Sequence, residues 1–218
     1  MKHVKYATGV LCVLSLMLLV VPALATVSPS ITSISPSSVA SGTRNVYATV
    51  EGTDFIPGAG STTVVQLTTG AKRITASNVI VSSSTTISCR FNLLNAPAGA
   101  WNVVVTNPDG GIGMLANAFT IKLPTVTSIT PGSATSGNTS VSVTIKGTDF
   151  ITGAGSTTVV QLTKGAKRIT ASNVIVSSPT TITCRFNLLN APTGVWNVVV
   201  TNPGGGSGTL VNGFTINP

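Results

Sequence analysis

The chain has 218 residues, 7% of them charged, with 12 Lys and Arg against 4 Asp and Glu for a formal net charge of +8. That length holds one or two domains. So few Glu and Lys argue against a helix-rich protein, and the abundance of Val, Thr and Ile favours strands.

Taken from the N-terminus, Lys2, His3 and Lys5 form a basic start, Ala7 to Val21 is an unbroken apolar or small-residue run, and Pro22 precedes Ala23-Leu24-Ala25. This is the three-part pattern of a secretory signal peptide with cleavage after Ala25. The alternative is an uncleaved anchor, for which the run is short of the roughly 20 residues a spanning helix needs. Loss of the leader removes Lys2, Lys5, the only histidine and Cys12, which leaves a formal charge of 10 − 4 = +6. The predicted organisation is residues 1–25 as signal peptide, 26–123 as a first β-sandwich and 124–218 as a second.

About seven short strands with turn signals between them follow in the first domain. Ile31–Ser35 stops at Pro36. Val46–Glu51 places Val46, Ala48 and Val50 on one face and breaks at Gly52. Thr63–Thr68, an edge strand at Ala71–Thr75 and a strand at Val79–Ser82 come next. Thr85–Leu93 alternates most clearly, with Ile87, Cys89, Phe91 and Leu93 inward and Ser88, Arg90 and Asn92 outward. Trp101, Val103 and Val105 continue the pattern up to the turn Asn107-Pro108-Asp109-Gly110, and Leu115–Ile121 closes the domain. Such rows imply two antiparallel sheets around one apolar layer.

Everything from Ile31 to Leu123 recurs, without a gap, from Val126 to Pro218, and roughly seven positions in ten are identical, the mark of tandem duplication. Loops match as closely as strands: Gly70–Ser83 equals Gly165–Ser178, and Cys89–Pro97 equals Cys184–Pro192. A period near 95 suits a whole sandwich domain better than a solenoid repeat. Between Ile121 and Val126 lie only Lys122, Leu123, Pro124 and Thr125, a short connection with a proline that predicts a stiff tandem.

Several features recur in order in both copies. They are Ile31-Thr-Ser-Ile-Ser-Pro36 and Val126-Thr-Ser-Ile-Thr-Pro131, Ser-Gly at 41–42 and 136–137, and Gly-Thr-Asp-Phe at 52–55 and 147–150. A Trp-x-Val-x-Val-x-Asn-Pro run follows from Trp101 and Trp196, and Phe-Thr-Ile closes each copy from Phe119 and Phe214. In these features the chain resembles the IPT/TIG family of immunoglobulin-like domains, with Trp101 and Trp196 where the family more often has tyrosine. The resemblance implies an all-β protein of two early-set immunoglobulin-like sandwiches lacking the inter-sheet disulfide. It also implies the company of surface receptors, starch-active enzymes and Rel-type transcription factors, and in prokaryotes of exported, repeat-built surface proteins of archaeal style. Fold kinship of this kind does not fix a function.

Catalysis fails by inventory. Without the leader no histidine remains, and Asp149 is the only acid of the second copy, so neither a carboxylate pair nor a serine–histidine or cysteine–histidine dyad can form there. Glu51 and Asp54 lie close in the first copy, but Lys146 takes the place of Glu51 in the second. No cofactor is expected. Asp54 and Asp149, the acids present in both copies, suit a turn better than a calcium cage, which needs more oxygen ligands. Cys89 and Cys184 occupy matching inward positions and are expected as buried thiols, forming the core with Trp101, Trp196, Phe91 and Phe186.

Two adjacent basic pairs, Lys72-Arg73 and Lys167-Arg168, with Lys164 beside the second, are candidate contacts for an anionic partner. The competing reading is charge that blunts an exposed strand edge. Tyr47 points outward but Ser142 is its twin, which argues against a repeated aromatic platform for glycans. Asn138-Thr139-Ser140 fits an N-glycosylation acceptor. The function expected is therefore a non-catalytic, exported cell-surface spacer, envelope component or adhesion module whose partner is a surface protein or envelope glycan. The alternatives are a carbohydrate-binding accessory module and, less favoured for an exported chain, polyanion or nucleic-acid binding.

Overall fold

The computed structural model describes residues 26–58, 62–153 and 157–218. The predicted leader and its cleavage point lie outside the described residues. Each domain holds two sheets. In the first domain a four-stranded sheet has the order β1 (Ser30–Ser35), β3 (Val46–Thr53), β7 (Thr86–Phe91), β6 (Ser77–Ser83). The facing five-stranded sheet runs β2 (Ser38–Ala40), β9 (Ile112–Lys122), β8 (Gly99–Thr106), β4 (Val64–Thr69), β5 (Lys72–Thr75). The second domain repeats this with β10 (Thr125–Thr130), β12 (Val141–Thr148), β16 (Thr181–Phe186) and β15 (Ser172–Ser178) in one sheet. Its other sheet contains β11 (Ser133–Thr135), β18 (Ser207–Asn217), β17 (Gly194–Thr201), β13 (Val159–Lys164) and β14 (Lys167–Thr170).

The alternation visible in the sequence is the alternation of burial. Val46, Ala48 and Val50 from β3, Ile87, Cys89 and Phe91 from β7, and Trp101, Val103 and Val105 from β8 all enter one core. Trp101 lies opposite Phe119 across β8 and β9, and Phe119 meets Phe91 of the other sheet with ring centroids 6.4 Å apart and planes tilted by 44°. The indole N–H, which could not be buried unpaired without cost, donates to the Pro97 carbonyl at 3.1 Å. Trp196, Phe214, Phe186 and Pro192 reproduce the arrangement.

Three features depart from the sequence reading. β3 does not break at Gly52 but runs on to Thr53, because a residue without a Cβ lets the Ser30 carbonyl and the Phe55 ring close over it. Ser38–Ala40 and Ser133–Thr135 are strands, and they run parallel to β9 and β18 in sheets otherwise antiparallel. Three residues are too few for a period-2 pattern to show. The closing strand begins at Ile112, three residues before the predicted start, because Gly113 continues the ladder instead of ending it. In β1 a bulge between Ile31 and Ser33 brings both Ile31 and Ile34 inward.

Asn107 and Asn202 end the Trp-containing strands and are buried. The Asn107 carboxamide donates to the Asp54 carbonyl at 2.7 Å and to the Val27 carbonyl at 3.3 Å. Asn202 donates to the Asp149 carbonyl at 2.7 Å, but its second bond crosses to the other domain, reaching the Ser41 carbonyl at 3.3 Å. Around that bond the domains meet closely. A Cβ on Gly42 would stand 1.7 Å from the Pro203 carbonyl oxygen, and one on Gly206 would stand 2.0 Å from Ser41 Oγ. Glycine is required at both places because the other domain's atoms fill the space.

Two outcomes test this account. Trp101→Ala should destabilise the first domain by about 3–5 kcal/mol, the range for a large buried aromatic, in denaturant melts; a loss under about 1 kcal/mol would contradict its core placement. Gly206→Val should leave both cores folded but release the junction, so that NMR relaxation shows two separately tumbling domains in place of one.

Candidate functional site

The Lys-Arg pairs lie on β5 and β14, the outermost strands of the five-stranded sheets. Beside each, the loop that leaves β7 or β16 turns through Asn95 or Asn190 at φ of +62° and +57°, conformations asparagine tolerates better than most residues. Strand edge and loop enclose a cleft of about 270 Å³ in the first domain, lined by Lys72, Arg73, Asn92, Leu94, Asn95 and the edge of Trp101 among others. The second domain forms the same cleft, about 320 Å³, from Lys167, Arg168, Asn187, Leu189, Asn190 and Trp196. The structure thus brings the predicted basic pairs together with asparagines and a leucine that sequence reasoning had left out. The signal was present in the identity of Cys89–Pro97 and Cys184–Pro192, but identity throughout the copies hid it.

Lys164 is the clearest difference between the clefts. It stands directly across the ladder from Lys167, where the first domain pairs Thr69 with Lys72. Like charges in that position repel, and Lys164 turns away to donate Nζ to the Thr193 carbonyl at 2.6 Å. No acid lines either cleft. The four acidic residues are engaged elsewhere: Thr86 Oγ1 donates to Glu51, Thr53 Oγ1 to Asp54, Thr148 Oγ1 to Asp149, and the N–H groups of Val27 and Gly111 to Asp109. Both clefts are therefore positive, amide-bearing and without an internal counter-charge.

The remaining sequence candidates are dispersed. Asp54 and Asp149 sit in turns at φ of +61° and +58°. Among the described residues no group of three or more His, Cys, Asp and Glu comes together. Asn138 is exposed, and its side-chain oxygen accepts the Ser140 N–H at 3.4 Å within its own turn. Tyr47 is 69% exposed, with the Arg90 guanidinium 4.4 Å from its ring centroid and bonded to its hydroxyl. Ser142 replaces that ring in the second domain, leaving a groove of about 610 Å³ over Thr144, Ile175 and Arg185. Asp109, whose carboxylate accepts N–H bonds from Gly111 and Val27, is held below the ordinary carboxylate range.

Cys89 and Cys184 are buried free thiols, and burial pushes the pKa of each from 9.0 up to about 12. The folded state thus disfavours the thiolate. The contribution of the two buried thiols to stability is therefore full below about pH 9 and should be lost as the pH rises from there toward 12. At pH 8 neither thiol of the folded protein should react with Ellman's reagent, and both should react in denaturant; rapid native labelling would contradict their burial.

No curated protein matches the chain. Among solved structures it is similar to the plexin A4 extracellular region, at 16% identity with a TM-score of 0.40, over 87% of this chain and 18% of that one. It is similar also to the Bacteroides ovatus surface protein SGBP-B in complex with a mixed-linkage heptasaccharide, at 16% identity and TM-score 0.31, over 84% of this chain and 45% of that one. A titin immunoglobulin tandem follows at 9% identity and TM-score 0.40, over 87% and 66%. The chain thus spans less than a fifth of the plexin region and under half of the SGBP-B chain. The family model described as the IPT/TIG domain matches residues 29–121 and again 124–216. With that match covering both sandwiches, the chain belongs to the IPT/TIG domain family.

Proposed function

We propose that the chain is a non-catalytic interaction module of the cell exterior, holding an anionic surface partner, an acidic protein face or an acidic envelope polymer, through its two equivalent clefts. One observation carries the reading: the same positive, amide-bearing cleft is built twice from the same residues, with no acid in either lining. Two matched sites held by one short junction bind a repetitive surface with avidity, since engagement of the first raises the local concentration of the second. The reading takes the leader as an export signal. Among the described residues no helix is long and apolar enough to cross a membrane.

Carbohydrate recognition is the second reading, favoured by the paired asparagines and the leucine in each cleft, which offer hydrogen bonds beside an apolar contact. It runs against the burial of every tryptophan and phenylalanine ring, which leaves no repeated stacking platform.

Retention of the purified chain on an envelope fraction from the producing cells, followed against salt, tests both readings. Removing one cleft's charge with Lys72→Ala and Arg73→Ala should weaken retention severalfold. Adding Lys167→Ala and Arg168→Ala should weaken it more than tenfold and flatten the salt dependence. Retention untouched by all four substitutions overturns the proposal. Release by neutral soluble polysaccharide in place of salt selects the carbohydrate reading.

A further inference from the structure

The junction between the domains joins two dissimilar surfaces, and each occurs once more in the chain. One half is the end of the first domain carrying Ser41, Gly42, Leu94 and Asn95; the other is the loop of the second domain from Asn202 to Gly206. The far end of the second domain presents the same four residues as Ser136, Gly137, Leu189 and Asn190. The backbone there is already in the docked shape, with φ of +88° at Gly137 against +87° at Gly42. Yet Gly42 is buried, while nothing lies within 4 Å of where a Cβ on Gly137 would stand. Leu94 is half-buried against Gly204, and Leu189 is 58% exposed. On the other side, Pro203 is buried in the junction and its twin Pro108 is exposed.

The first domain's loop is nonetheless not vacant. The strap Thr26–Pro29 crosses it, and the Val27 carbonyl accepts the Asn107 carboxamide at 3.3 Å, the same bond that the Ser41 carbonyl accepts from Asn202 at 3.3 Å. The Val27 oxygen stands 2.1 Å from where a Cβ on Gly111 would be, just as Ser41 Oγ stands 2.0 Å from a Cβ on Gly206. The strap imitates the neighbouring domain. Asp109 holds it there by accepting the Val27 N–H at 2.9 Å. The second domain has Gly204 at that place, at φ +83°, with a Cβ position 2.7 Å from the Asn95 nitrogen, so a side chain there obstructs docking.

We propose that the chain assembles head to tail with further copies of itself, the Gly137–Leu189 end of one copy seating on the Asn107–Gly111 loop of the next, and that the Val27 strap pinned by Asp109 is the built-in cap that restrains this assembly. The two surfaces differ, so the contact is heterologous and propagates in open chains in place of a closed dimer. It goes beyond cleft binding and requires no envelope partner. Within one chain the short linker supplies an effective concentration on the order of millimolar, so association between chains is to be sought in that range.

Sedimentation equilibrium of the full chain up to about 1 mM, the concentration range set by that linker estimate, decides the matter. Asp109→Gly should associate at least tenfold more tightly than the unmodified chain, with species beyond the dimer. In ¹⁵N spectra the amides of Gly137 and Leu189 should shift with concentration. Adding Leu189→Glu should return the protein to the behaviour of the unmodified chain. Val27→Pro, which removes the N–H donor and leaves the loop sequence intact, should release the cap as well and serves if Asp109→Gly fails to fold. Monomeric Asp109→Gly and Val27→Pro proteins with unchanged melting curves overturn the proposal, as does association insensitive to Leu189→Glu.

Discussion

A buried carboxamide at the foot of each sandwich is the interaction on which most of the architecture turns. Asn107 and Asn202 each end a core strand, and each satisfies two carbonyls that would otherwise be stranded. The first of those carbonyls, from Asp54 or Asp149, fixes the chain where it leaves β3 or β12. The second belongs to whatever lies beneath the domain: the strap in one case, the preceding domain in the other. One side chain therefore secures a loop, a sheet end and a junction, and losing it would remove two hydrogen bonds, at about 0.5–1.5 kcal/mol each.

The copies are alike enough that their differences carry the individuality of the protein. Tyr47 and Ser142 decide whether the outer face of the four-stranded sheet is filled by a ring or open as a groove. Thr69 and Lys164 decide how crowded the positive edge is. Asp109 and Gly204 decide whether the loop grips its own strap or admits a neighbour. None of the three touches the core, so each alters a surface at little cost to stability.

Much of this was legible in the residues. Alternation at Ile87, Cys89 and Phe91, and at Trp101, Val103 and Val105, fixes which faces are buried because a strand has only two. The short parallel strands were not legible: Ser38–Ala40 pairs by register with β9, far away in the chain, and three residues carry no periodicity of their own. The basic pairs could be picked out, but the asparagines facing them could not, since the cleft joins segments about 20 residues apart and the duplication makes every position look equally retained. The short proline-bearing connection between Ile121 and Val126 predicts a stiff junction. The chemistry of that junction is not legible in the sequence, because the Asn202–Ser41 bond spans 161 positions.

The parallel pairing of β2 with β9 bears on how such a chain would respond to tension. Ser38, Val39 and Ala40 lie beside Thr120, Ile121 and Lys122, so a strand near the start of the domain runs in the same direction as the strand that leaves it. Tension drawn through the domain pulls these two strands in opposite directions along their shared axis. The bonds between them are then sheared together; they do not open one after another as in a hairpin pulled from its ends. The same geometry recurs in β11 and β18. Resistance to force is governed by the unfolding rate, so the least conspicuous strands in the sequence are the ones placed to set the strength of the tandem under traction.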